Sequence, residues 1–213
     1  MIVALFLAAA TPTAIDAERA FAADAQKIGQ WTAFRKYADP TAIMFNPQAV
    51  WAHELLKDSK DPPRAIRWWP ARSFVSCDRD VAVNTGPSRN EARATDGYFT
   101  TVWVRQKDGG WKWSVDGGDT LKRPLARPAS PAIRRASCIG LARLRAAYAA
   151  ETPTTASIAG KAPADAGQGR SADGTLTWSW RVAKDGARRF ETKLWNGRRY
   201  APVLVQNIAA PPK

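Results

Sequence analysis

Residues 98–119 read "YFTTVWVRQKDGGWKWSVDGGD": two alternating apolar–polar stretches around Asp-Gly-Gly, carrying Trp103, Trp111 and Trp113. Alternation of period two sends successive side chains to opposite faces of a strand, and Asp-Gly supplies the turn. The spacing predicts a hairpin with a two-residue loop at Asp108-Gly109, Val102 beside Val115 and Val104 beside Trp113. One face is then a core surface. The other carries Phe99, Thr101, Trp103 and Arg105 with Lys112, Ser114 and Asp116. Aromatic bodies mixed with polar tips suit the wall of a ligand pocket or a subunit interface.

Upstream of the hairpin the pattern is helical. Phe21, Ala25, Ile28, Trp31 or Phe34, and Tyr37 recur at steps of three and four, which predicts one amphipathic helix from Ala14 to Ala38. Thr13 with Asp16 three residues later is a start signal, and Pro40 is a stop. "AIMFNP" reads as a short strand and "PQAVWAHELLKDS" as a second helix. After the rigid "DPPRAIRWWP", the stretches "RSFVSCD", "DVAVNTGPSR", "GYFTTVWVRQ" and "WKWSVDGG" form a meander of about four strands. Helices first and antiparallel strands later indicate an α+β domain.

Beyond residue 122 the composition shifts. Residues 123–174 read as a linker rich in Pro, Ala and Gly, with a short helix over residues 134–150. Residues 175–209 read as a three-stranded antiparallel module. In that module Leu176, Trp178, Trp180 and Val182 alternate with polar residues. A two-residue turn at Asn196-Gly197 would set Thr192 opposite Ala201 and Phe190 opposite Val203. Such a sheet has one apolar side that needs the preceding helix or the main domain to cover it.

The segments "AERAFAADAQKIGQWTAFRKYADPTAIMFNP", "CDRDVAVNTGP" and "GYFTTVWVRQKDGGWKWSVDGGD", in that order, resemble the SnoaL-like branch of the nuclear transport factor 2-like superfamily. The resemblance spans roughly residues 16–120, within a domain taken as residues 15–122. It implies a strongly curved antiparallel sheet wrapped on N-terminal helices to form a cone. In that superfamily the cone interior is commonly a pocket and the outer sheet face commonly forms homodimers. Its members include isomerases, cyclases, dehydratases and binders of small molecules, so fold alone does not assign activity. On this reading Trp31, Phe34, Met44, Trp51, Trp69, Trp103 and Asp116 are expected to line a pocket for a small apolar molecule.

The resemblance implies that any enzyme here would use a pocket Asp or a His-Asp pair, helped by tyrosines, for isomerase-, cyclase- or dehydratase-type proton transfer. Asp116 is the expected acid or base, with His53 and Tyr98 as candidates beside it; the alternative is an ordinary strand-end carboxylate, a half-buried histidine and a core-closing tyrosine. His53 is the single histidine, which argues against a multi-histidine zinc site, and "DGGD" lacks the lysine and helix start of a phosphate loop. No cofactor and no metal is expected.

Formal net charge is +13, and it is uneven: residues 1–122 hold 16 Lys and Arg against 14 Asp and Glu, residues 123–213 hold 16 against 5. A basic C-terminal part favours an anionic contact, here an envelope surface. Nucleic acid is the disfavoured partner, because the apolar run Ile2 to Ala10 reads as a secretory signal, taken as residues 1–14 and lacking a preceding Lys or Arg. The expected location is periplasmic or secreted. The run is too short to span a bilayer. In an oxidising compartment Cys77 and Cys138 can pair and close a loop of about 60 residues, stabilising the fold by up to about 4 kcal/mol; otherwise they are two separate buried thiols.

Overall fold

The computed structural model describes residues 11–149 and 163–212, so the apolar run Ile2 to Ala10 and part of the expected linker lie outside the described residues. The chain runs α1 (Ala14–Ile28), α2 (Gln30–Tyr37), β1 (Ala38–Asn46), β2 (Gln48–Trp51), α3 (Ala52–Leu56), β3 (Arg67–Trp68), β4 (Arg72–Val75), β5 (Val81–Asn90), β6 (Thr95–Arg105) and β7 (Trp111–Leu121). It continues through β8 (Ala132–Arg135), α4 (Leu141–Ala149), β9 (Ala166–Arg170), β10 (Leu176–Val182), β11 (Arg188–Trp195) and β12 (Tyr200–Ile208).

The expected first helix is two helices. Thr13 and Asp16 close a reciprocal cap at its start, with Thr13 N donating to Asp16 Oδ2 at 2.9 Å and Asp16 N donating back to Thr13 Oγ1 at 3.3 Å. The break falls at Gly29, whose φ of +105° suits glycine alone. A Cβ there would lie 2.2 Å from the Asp61 carboxylate. That carboxylate caps α2, accepting from Trp31 N at 2.6 Å, Thr32 N at 3.0 Å and Thr32 Oγ1 at 2.6 Å. The expected second helix is also divided: its first residues form β2, which pairs antiparallel with β1, and only five residues form α3.

The main sheet has eight strands, ordered β2-β1-β7-β6-β5-β4-β8, with β3 also pairing β5. It is curved and mixed: β1·β7 and β4·β8 are parallel, whereas the expectation was antiparallel throughout. Both exceptions arise because β1 and β8 reach their neighbours through long crossovers and not hairpins. Helices α1 and α2 pack on the concave face through Phe21, Ala25, Ala33 and Phe34, against Trp68, Trp103, Trp111 and Trp113. This is the cone architecture that the resemblance implies.

In the central hairpin Val102 faces Val115 as expected, but a bulge at Ser114 changes the register toward the turn. Trp103 then faces Trp113, Val104 faces Lys112 and Arg105 faces Trp111. The extra residue turns Trp111 and Trp113 onto the same concave face as Trp103.

The C-terminal sheet has four strands, β12-β11-β10-β9, one more than expected. The residues 134–150 expected as one helix split into the end of β8 and α4, with Gly140 at φ +74° before the helix. The β11–β12 turn spans residues 196–199, and a further irregularity follows Thr192. The pairs are therefore Leu194 with Ala201, Thr192 with Leu204 and Phe190 with Gln206.

Leu176, Trp180, Val182, Phe190, Leu194 and Leu204 pack this sheet on Ile43, Phe74, Val83, Val102 and Val115, the convex face of the cone. The face expected to receive a second copy of the chain is thus covered by the chain itself. The C-terminal sheet is also tied to the cone by a reciprocal pair, Asp78 N to Asp173 Oδ2 at 2.8 Å and Asp173 N to Asp78 Oδ2 at 3.1 Å. The Cys77–Cys138 disulfide (Cα–Cα 5.3 Å) links the segments that follow the paired strands β4 and β8 of the main sheet.

Candidate functional site

The concave side of the sheet is filled by rings. Phe21 stands at the centre, 4.7 Å from Phe34, 5.2 Å from Tyr37, 4.8 Å from Trp68 and 6.0 Å from Trp103, mostly edge to face. An open hollow was expected there; side chains occupy the centre instead.

Two carboxyl groups lie within this aromatic packing. Glu18 comes from α1, where steps of three and seven place it on the same stripe as Phe21 and Ala25, and it is fully buried. Its Oε1 accepts from Trp68 Nε1 at 2.8 Å. Its Oε2 accepts from Trp103 Nε1 at 2.6 Å and Asn84 Nδ2 at 3.3 Å. Burial pushes its pKa up to about 8 against these three donors, and the nearby Asp116 charge adds to the rise. Asp116 sits on β7 past the bulge, half-buried, and accepts from Thr101 Oγ1 at 2.7 Å. Burial raises its pKa to about 7, opposed by that hydroxyl and by Arg188. Two further polar atoms of this interior, Trp113 Nε1 and Asn84 Oδ1, are buried without a hydrogen-bond partner.

Arg188 arrives from the C-terminal sheet. Its Nη2 donates to the Gly118 carbonyl at 3.0 Å, and its guanidinium lies 4.2 Å from the centre of the Phe45 ring. Its charge acts on Tyr98, Asp119 and Asp116.

A groove of about 380 Å³ opens on the outer side of α1, lined by Arg19, Gln26, Arg67, Trp68, Trp69 and Pro131 among others. Trp68 connects it to the interior: the residue lines the groove while its indole N–H holds Glu18. The Arg127 guanidinium stacks 3.2 Å from the Trp69 ring centre. Apolar walls with a few convergent polar groups are the composition of small-molecule sites.

The residues expected to line one pocket are distributed over three places. Trp103 and Asp116 belong to the acid pair's surroundings, with Phe34 and Met44 packed against the same core. Trp31 stands beside it on Phe34 at 5.3 Å. Trp69 lines the outer groove. Trp51 packs instead against the core between the two sheets. Among the candidates for proton transfer, His53 Nε2 lies 3.1 Å from the Asp39 carbonyl, on α3. Tyr98 alternates with Phe99 and Thr101, so it occupies the convex face, opposite to Asp116; burial and the Asp119 charge raise its pKa to about 12. Glu18, Asn84, Trp68 and Arg188 were not anticipated. A carboxylate inside the apolar stripe of α1 was the available signal for Glu18. Among the described residues no group of three or more His, Cys, Asp or Glu could hold a metal ion.

No family profile matches the chain, and no curated protein matches it. Solved structures that resemble it include a proposed ketosteroid isomerase from Parabacteroides distasonis, with 18% identity and a TM-score of 0.42, covering 51% of this chain and 88% of that one. Another is a proposed ketosteroid isomerase from Shewanella frigidimarina, with 16% identity and a TM-score of 0.38, covering 52% of this chain and 98% of that one.

Proposed function

We propose that the chain is an exported binding protein of the SnoaL-like type that takes a small, flat, mostly apolar molecule without catalysing its conversion. The groove over α1 carries this reading: its 380 Å³ falls in the range of ligand sites, about 300–1,000 Å³. A guest would lie against Trp68 and Trp69 with Arg19, Arg67 and Gln26 at hand for one polar or anionic group. Export is supported by the Cys77–Cys138 disulfide, which suits an oxidising compartment. Titration with 1-anilinonaphthalene-8-sulfonate, followed by tryptophan fluorescence, tests the site. Ala23 is exposed on the groove wall, so Ala23→Trp should fill the groove without disturbing the core and weaken binding at least tenfold. Equal affinity in that variant removes the proposal.

A second reading is favoured by one observation, the Asp116 carboxyl with its pKa near 7 on the concave face. A general base works best near the operating pH, so proton abstraction next to a ketone suits this group. Enolisable ketones screened in deuterated buffer would show exchange by NMR, and the exchange should vanish in Asp116→Asn.

A further inference from the structure

The chain between β8 and α4 turns through Ser137, Cys138, Ile139 and Gly140 at one end of the molecule. Ser137 N donates to the Trp195 carbonyl at 2.8 Å, and Trp195 Nε1 donates to the Ile139 carbonyl at 2.8 Å. These bonds seat the turn on the 196–199 loop of the C-terminal sheet, where a Cβ on Gly197 would stand 3.7 Å from that of Ile139. The Cys77–Cys138 disulfide fixes the same turn to the cone.

Two chemistries meet on this end. Arg134, Arg135, Arg143, Arg145, Arg198 and Arg199 are exposed, and residues 122–149 contain no Asp or Glu. None of the six guanidinium groups forms an ion pair among the described residues. The carboxylates of Asp78 and Asp173 are turned onto each other's backbone N–H groups. Amid these cations Ile139 stands 75% exposed, and Ile133, on β8, is 53% exposed. A soluble polyanion gives arginines a partner but leaves such aliphatic side chains in water. A bilayer surface with anionic headgroups accommodates both, since cations stay among phosphates while short apolar side chains enter below them.

We propose that this end docks reversibly on an anionic phospholipid surface, with Ile139 entering between headgroups and the flanking arginines held by phosphates. The contact is independent of the groove over α1.

The full chain should cosediment with phosphatidylcholine vesicles containing phosphatidylglycerol and remain in solution with phosphatidylcholine alone. High salt should release it. Each arginine near such a surface contributes roughly fivefold in partitioning, so the Arg198→Ala, Arg199→Ala double variant should bind roughly twenty-five-fold less. Ile139→Asp should bind less as well. Both variants alter exposed residues, and circular dichroism checks that each retains its fold. Equal binding to neutral vesicles overturns the proposal. So does equal binding of Ile139→Asp, and so does duplex DNA or heparin displacing the protein from anionic vesicles when added at matched charge.

Discussion

Glu18 is the residue on which the interior converges, because two indole N–H groups and an amide have it as their acceptor. Replacing it by alanine strands both Trp68 and Trp103 donors in an apolar core, at about 1–3 kcal/mol for each. Glu18→Ala should therefore lower unfolding stability by about 2–5 kcal/mol, read from the midpoint of urea denaturation. The carboxyl also ties stability to pH. An unfolded glutamate releases its proton near 4.5, whereas folded Glu18 keeps it to about 8, and Asp116 to about 7. Across that window the folded chain binds more protons than the unfolded chain, so stability falls as pH rises and levels off above about 8. Urea unfolding at a series of pH values should show the decline. Glu18→Gln, which cannot ionise, should make it shallower; an unchanged slope would remove Glu18 as its source.

At the level of elements, the end of α1 illustrates how a single backbone requirement divides a helix. Gly29→Ala places a methyl group against the Asp61 carboxylate in a left-handed backbone conformation, so the cap on α2 must open. The variant should lose more than about 1 kcal/mol by thermal unfolding, and Asp61→Ala about 1 kcal/mol, the ordinary loss for a helix cap. The apolar stripe was legible at Phe21, Ala25, Phe34 and Tyr37, which α1 and α2 pack into one core, whereas Ile28, read on the same stripe, is 42% exposed at the end of α1. The division was not read, because periodicity does not register a single glycine whose partner, Asp61, lies far along the chain beyond α3. The hairpin was legible down to Val102 facing Val115. Past that pair the register was hidden, because a bulge at Ser114 leaves no mark in an alternating pattern yet moves Trp111 and Trp113 to the other face. The candidate site was legible in part for the same reason. Asp116 and Trp103 could be read from strand parity, whereas Trp68 and Arg188 reach their places through tertiary contacts that no local pattern encodes.

For the whole molecule, the covering of the convex face by the C-terminal sheet is decisive. That face carries Val83, Val102 and Val115, all at 5% exposure or less. The full chain should therefore be a monomer by light scattering, and a chain ended after Lys122 should self-associate or precipitate as the same residues meet water. A monomeric truncated chain would show that the C-terminal sheet is dispensable for covering the cone. The disulfide spans 61 residues and ties the β4–β5 connection to the segment that follows β8, within the cone. Its reduction should lower stability by about 2–4 kcal/mol without separating the two layers, because their apolar contact does not depend on it.

A homodimer repeats every substitution twice across its symmetry axis, so neither side can change without the other. Here the two surfaces in contact are encoded by different stretches of one polypeptide. A mutation in Leu204 or Phe190 leaves the cone's own sequence untouched and can be compensated at Val83 or Ile43 by a separate event. The contact can accordingly drift toward asymmetry over generations, and it gave Arg188 a position beside Gly118 that a twofold arrangement would have had to supply at two places.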